Sequence, residues 1–428
     1  STSKPSDFAT VLSTLTETEA IEFAKVMGKY VSDTPAPATA TENAIDVANS
    51  GYYLIKDTTT GDKVSKSLNL LKVAGTATIN AKDSTVSSKK TVSDINDSTD
   101  AAATANQKSA DYDIGDDIPY VLTFTLPDNY AAFDTYPLTF IDDMCAGLTY
   151  NGDAKIWYGE VTGEGADISF TADTSAESAY SGTVYKANIA DLKTSQASFT
   201  SGTITIKYSA RLNSDAVVGG AGNKNDYQVE FLNNPNKSGT GDKTPGDEDK
   251  STTPKDTNVV FTYKLVVNKT DDNGDALTGA DFTLSKWIPN ESGSDTYNEA
   301  KGNWTTVSIK TGSTEGSVFT FNGLDDGIYK LSETTTPKGY NSIADKIFTI
   351  SATHSDTGIT DLSASGGLTI DGSEATGILS TDIANNKGIQ LPGTGGMGTT
   401  VFYIVGSLMI AGALVLLVVR KRMNIKEK

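Results

Sequence analysis

Apolar residues recur along this chain in two periods. Between residues 6 and 31, Phe8, Val11, Leu12 and Leu15, then Ile21, Phe23, Ala24 and Met27, return every three or four positions. That spacing predicts two short amphipathic helices. Beyond them the period falls to two. Tyr120-Val121-Leu122-Thr123-Phe124-Thr125-Leu126 and Gly202-Thr203-Ile204-Thr205-Ile206-Lys207-Tyr208 read as strands, as does Gly51-Tyr52-Tyr53-Leu54-Ile55. Short strands without further amphipathic helices predict a mainly β protein of tandem β-sandwich domains. The pattern changes once more at residues 400–419, which carry no charge and are followed by Arg420-Lys421-Arg422. About 20 apolar residues at ~1.5 Å each cross a ~30 Å hydrocarbon core. The basic cluster stays on the cytoplasmic side, so one C-terminal transmembrane helix is expected, with everything before it outside.

Polar stretches divide the chain. Residues 33–41 are a Pro/Ala/Thr loop, and residues 236–257, rich in Gly, Pro, Lys and Asp, read as a linker. The expected units are 1–84 (partial; helices, then strands), 85–235, the linker 236–257, 258–388, and the tail 389–428.

Composition narrows the function. With 428 residues the chain has room for two to four domains, and its net charge of -19 disfavours nucleic acid and anionic membranes as partners. One cysteine excludes an intrachain disulfide, so an exported protein of this kind needs another source of toughness. The sequence starts at Ser1 without Met or an apolar leader; given its C-terminus, a signal peptide is expected to have been removed or to lie upstream. Cys145 reads as a small apolar residue rather than a nucleophile, because the single histidine, His354, falls in another unit. Gly393, Gly395 and Gly398 spell a dinucleotide fingerprint but lack a surrounding βαβ unit. Asp271, Asn273 and Asp275 start like a calcium loop, yet Ala276 and Phe282 stand where its Gly and Glu belong, so Asn273-Gly274 is read as a hairpin turn. No enzyme, cofactor or metal is expected.

Ahead of the apolar span stands Leu391-Pro392-Gly393-Thr394-Gly395. Together, pentapeptide, span and basic tail resemble the sorting signal of sortase substrates. The resemblance implies cleavage between Thr394 and Gly395 and transfer of Thr394 to an amine, on the wall precursor or on a pilin lysine. It also implies a secreted protein anchored to cell-wall peptidoglycan, through a transient precursor held in the membrane by residues 400–419.

The upstream units resemble isopeptide-forming backbone pilins of Gram-positive bacteria, with immunoglobulin-like and collagen-adhesin-type sandwiches. In the middle unit the matching residues are Ala110-Asp111-Tyr112-Asp113-Ile114-Gly115-Asp116, Leu126-Pro127-Asp128-Asn129-Tyr130, Phe140-Ile141-Asp142 and Asn233-Asn234-Pro235. In the third they are Val267-Asn268-Lys269-Thr270-Asp271, Leu277-Thr278-Gly279-Ala280-Asp281-Phe282, Gly327-Ile328-Tyr329-Lys330-Leu331-Ser332-Glu333 and Pro337-Lys338-Gly339-Tyr340, the collagen-adhesin B-type pattern. Such domains join a Lys amine to an Asn side chain with help from a buried acid. In the third unit, alternation sets Lys269, Glu333 and Asn385 on apolar rows, as nucleophile, acid and acceptor, with Asn386 as the second choice. In the middle unit the family pattern selects Lys90 over Lys89, Asp142 (with Asp143 beside it) and Asn233. A pilin shaft also needs an acceptor lysine; Lys82 fits best by position, with Lys63 and Lys72 as alternatives. The resemblance therefore implies a covalently polymerised shaft subunit whose partners are sortases, identical subunits and peptidoglycan. The alternative is a monomeric wall-anchored adhesin with a host or matrix ligand.

Overall fold

The computed structural model describes residues 10–28, 39–41, 44–46, 51–56, 64–65, 68–73, 84–99, 104–241, 244–290, 297–307, 309–388 and 398–424. A helical turn over residues 10–13 precedes the helix Glu17–Gly28, as the three-and-four spacing predicts. Thr16 starts that helix: its hydroxyl accepts from the Glu19 amide at 3.3 Å while Glu19 Oε2 accepts from the Thr16 amide at 2.8 Å. Two end amides are satisfied reciprocally. Strands Gly51–Lys56 and Leu68–Val73 pair antiparallel.

The middle domain is two packed sheets. One runs Ala166–Asp167, Lys155–Tyr158, Thr203–Leu212, Asp117–Thr125, Ser87–Asp94, Thr104–Gln107; the other runs Thr171–Ala172, Thr183–Ile189, Leu138–Met144, Asn223–Leu232, Asp256–Phe261, Ser109–Asp111. Alternation makes the core: Ile118, Tyr120, Leu122 and Phe124 are buried from one sheet, and Leu138, Phe140, Tyr227, Val229 and Phe231 from the other. The stretch expected as a linker departs from that reading. Lys250–Thr252 and Asp256–Phe261 both pair with Asn223–Leu232, so part of it completes the middle sandwich. Polar composition concealed these strands because only Val259, Val260 and Phe261 at their end are apolar and buried.

The third domain follows after Thr262. Its sheets are ordered Lys310–Thr311, Val318–Leu324, Tyr263–Asp271, Ile378–Asn385, Thr369–Ile370 and Gly302–Thr306, Asp281–Pro289, Gly327–Thr335, Lys346–Ser355, Gly358–Ala364. The first and last long strands, Tyr263–Asp271 and Ile378–Asn385, are parallel neighbours. The turn after the first is the expected one: Asp271 Oδ1 accepts from the Asn273 and Asp275 amides, and Gly274 adopts φ +88°. The two sandwiches meet backbone to backbone, the Ile114 amide donating to Gly323 O at 3.0 Å and the Gly220 amide to Ala375 O at 2.6 Å. Gly323 is required there, since its φ is +74° and a Cβ would stand 2.3 Å from Ile114 Cγ1.

Helix Gly398–Asn424 closes the chain. Its segment Tyr403–Lys421 is long and apolar enough to span a membrane, and none of it is buried against the protein.

Candidate functional site

Among the described residues three lysines are buried; Lys286 lies where the two domains meet, while Lys90 and Lys269 each sit in a sandwich among groups that can change them chemically. In the third domain, Tyr263, Leu265, Val267 and Lys269 form one buried row on Tyr263–Asp271. The parallel register sets Lys269 against Ile383 and Asp271 against Asn385. Lys269 Nζ donates to the carbonyls of Thr270 (2.7 Å) and Ile383 (2.9 Å). Asn385, fully buried, donates through Nδ2 to Glu333 Oε1 at 2.8 Å and to Asn341 O at 3.0 Å, while its Oδ1 has no partner. Glu333 reaches across from the opposite sheet, and its second oxygen accepts from Thr336 Oγ1 and the Ile343 amide. Burial lowers the Lys269 amine's proton affinity, against the charges of Glu333 and Asp271. Asn386 is exposed, so the buried amide is the one at Asn385.

In the middle domain, Lys90 lies on Ser87–Asp94 and is fully buried. Its Nζ crosses to Asp142 Oδ2 on the opposite sheet (2.7 Å) and meets the Tyr208 hydroxyl from its own sheet (2.9 Å). That hydroxyl donates to Asp142 Oδ2 at 2.9 Å and accepts from Asn225 Nδ2 at 2.9 Å. The rings of Tyr120 and Tyr208 flank the amine at 5.0 and 5.5 Å. Burial pushes the Lys90 amine down and the Asp142 carboxyl up, each against the other's attraction, which favours the neutral amine and the neutral acid. Asp142 Oδ1 and Asn225 Oδ1 are both buried without a partner. Asp143 points elsewhere, to Ser178 Oγ and the Ala179 amide.

Lys90 and Asp142 are thus brought together, and Asn233 is not brought to them. Asn233 donates to Ser251 Oγ at 2.7 Å at the far end of its strand. The register explains the difference. Phe231 pairs with Leu138 and Tyr227 with Asp142, so Asn225 is diagonal to the acid. Asn233 lies eight residues further along, roughly 25 Å at the usual rise. Asn225 carried a signal in the sequence: it continues the buried row Tyr227, Val229, Phe231. Tyr208, the last residue of a clean alternating strand, was visible only as core.

Lys82, Lys63 and the motif Leu391-Pro392-Gly393-Thr394-Gly395 lie outside the described residues. Lys72 pairs with Tyr52 in the N-terminal hairpin. Cys145 is half-buried against the middle core, and burial pushes its thiol up, consistent with an unreactive packing residue.

Comparison with known proteins gives the setting. Residues 263–365 match a prealbumin-like fold domain and residues 383–424 the LPXTG cell wall anchor motif. The chain is 28% identical over 363 residues to the trypsin-resistant surface T6 protein of Streptococcus pyogenes serotype M6, covering 72% of this chain. It spans 65% of that relative's length. Among solved structures, the T6 backbone pilin of the same serotype, described as a modular three-domain structure, superimposes with a TM-score of 0.55 at 20% identity, over 87% of this chain and 88% of that one. The full-length major pilin SpaD of Corynebacterium diphtheriae matches with a TM-score of 0.46 at 18% identity, over 79% and 76%. The anchor match, together with the apolar helix, makes this a surface protein held in the cell wall after a transient membrane stage.

Proposed function

We propose that this chain, a wall-anchored, non-enzymatic protein of the Gram-positive pilus backbone type, is a shaft subunit toughened by two internal amide bonds, Lys269–Asn385 and Lys90–Asn225. One observation carries the reading: Lys90 and Lys269 each share a site with an acid and with an asparagine whose carbonyl oxygen has no partner. In the reaction, Lys Nζ attacks Asn Cγ, the Cγ–Nδ2 bond breaks, and ammonia leaves. The acid, Asp142 or Glu333, hydrogen-bonds the developing oxyanion and passes the amine's proton to the leaving nitrogen. The fold supplies the effective concentration. Asn225 replaces Asn233 in this assignment because its amide contacts the hydroxyl that Lys90 also contacts.

The two bonds would set the path of tension. Load arriving at Ser87 would cross at Lys90 to Asn225, continue through Phe261 and Tyr263, and cross again at Lys269 to Asn385 on the way to the wall. The intervening segments would carry none. As external partners we assign sortase and peptidoglycan at Thr394, and an identical subunit through Lys82.

Intact-mass measurement tests the internal chemistry: two bonds remove about 34 Da, about 17 Da of ammonia each. Asn225→Ala should restore one loss, and Asn233→Ala none; the reverse result would overturn the middle assignment. Wall extracts test the assembly. SDS-resistant ladders abolished by Lys82→Ala support polymerisation, whereas a single anchored band supports the monomeric adhesin.

A further inference from the structure

The joint between the middle and third domains gathers charge that neither amide site uses. Asp94, Asp97, Asp111, Asp113 and Asp116 come from the middle domain, and Asp325 and Asp326 from the third. They face two cationic side chains. Lys286 Nζ takes Asp113 Oδ2 (2.7 Å), Asp325 Oδ2 (3.1 Å) and Asp97 Oδ2 (3.3 Å). His354 Nε2 takes Asp111 Oδ1 (3.1 Å) and Asp94 Oδ2 (3.6 Å), while its Nδ1 meets Ser109 Oγ. One oxygen is left over. Asp111 is 2% exposed, and its Oδ2 is buried with no hydrogen-bond partner.

We propose that Asp111, Asp325 and Asp326 bind a hard divalent cation of the calcium class, which clamps the two domains together. One carboxylate oxygen from each lies within 4.8 Å of the others. Two oxygens held by one calcium ion at about 2.4 Å each stand no more than about 4.8 Å apart, so the spacing suits a shared ion. The donors are all oxygen, which favours calcium or magnesium over zinc, and calcium tolerates an irregular shell completed by water. Sequence spacing gave no hint of the site, because its ligands come from segments more than two hundred residues apart.

Calorimetric titration of the full chain in mild detergent, stripped with chelator and titrated with calcium chloride, tests the proposal. One saturable site per chain is expected, with a rise in melting temperature on binding. Asp326→Asn, which breaks no contact to Lys286 or His354, should weaken calcium at least tenfold. Absence of saturable binding to the unsubstituted chain overturns the proposal whatever the variant does. So does calcium binding that Asp326→Asn leaves intact. Binding of zinc alone, lost in His354→Ala but kept in Asp326→Asn, overturns it in favour of the Asp94–Asp111–His354 group.

Discussion

The middle and third domains hold the same three kinds of side chain in opposite arrangements. In the third, lysine and asparagine stand on adjacent parallel strands of one sheet, and the acid reaches over from the other. In the middle, the lysine stands alone on one sheet while acid and asparagine share the other. A bond in the third domain would therefore close a seam within a sheet, whereas one in the middle domain would tie two sheets through the core. The amines differ accordingly. Lys269 is capped by two backbone carbonyls near a strand end, while Lys90 meets a carboxyl and a phenol between two tyrosine rings.

Removing each lysine sharpens that contrast. Lys90→Ala should be the most damaging change. It loses a crosslink over a loop of order 100 residues, worth about 5 kcal/mol, and leaves Asp142 and the Tyr208 hydroxyl in an apolar core without the nitrogen that both contact. We expect the middle domain to melt about 10–20 °C lower, or to fail to accumulate. Asn225→Ala loses the crosslink but keeps the Lys90–Asp142 contact, so it should melt above Lys90→Ala. Equal melting temperatures for Lys90→Ala and unsubstituted protein would show that no bond forms there.

Lys269→Ala comes next. The bypassed loop is of similar length, so the crosslink contribution is again about 5 kcal/mol. The acid keeps its partners, however, because Glu333 still accepts from Thr336 Oγ1 and the Ile343 amide. The loss in the third domain should therefore be smaller than in Lys90→Ala, by differential scanning calorimetry of the two variants. A larger loss would mean that the seam, rather than the cross-sheet tie, dominates stability.

The contrast also explains what could be read in advance. The roles, and Asp142 itself, come from the resemblance; alternation then places Lys269, Glu333 and Asn385 on apolar rows and favours Lys90 over Lys89. It cannot choose between Asn225 and Asn233, which lie on the same row, because the choice depends on which residue of Leu138–Met144 each one faces. Register between strands distant in sequence is a tertiary property, set by side-chain packing across the pair rather than by local pattern. The polar strand 250–252 escaped because a strand paired on one side only needs few apolar residues, and 256–261 because only its last three residues are apolar, although it lies between Asn223–Leu232 and Ser109–Asp111. The acidic joint was illegible because its members are assembled from both domains.

Tyr208→Phe is the mildest change and the most specific to the middle domain. The hydroxyl accepts from both nitrogens that exchange places in the reaction, and donates to Asp142. Its ring also stacks on Tyr120 at 5.3 Å, a contact that phenylalanine keeps. If the hydroxyl only filled space, bond formation would proceed unchanged. If it aligns amine and amide, its loss removes about 1–1.5 kcal/mol of positioning, or roughly a tenfold slowing of amide formation. Mass spectra taken at intervals after refolding would separate the cases, because the ammonia loss from the middle domain would lag while that from the third keeps its normal rate. Once formed, the bond should leave the variant nearly as stable as the parent, since the hydroxyl's two nitrogen donors have by then become one amide and free ammonia. A simultaneous slowing in both domains would locate the effect in folding, not in chemistry, and would remove Tyr208 from the site.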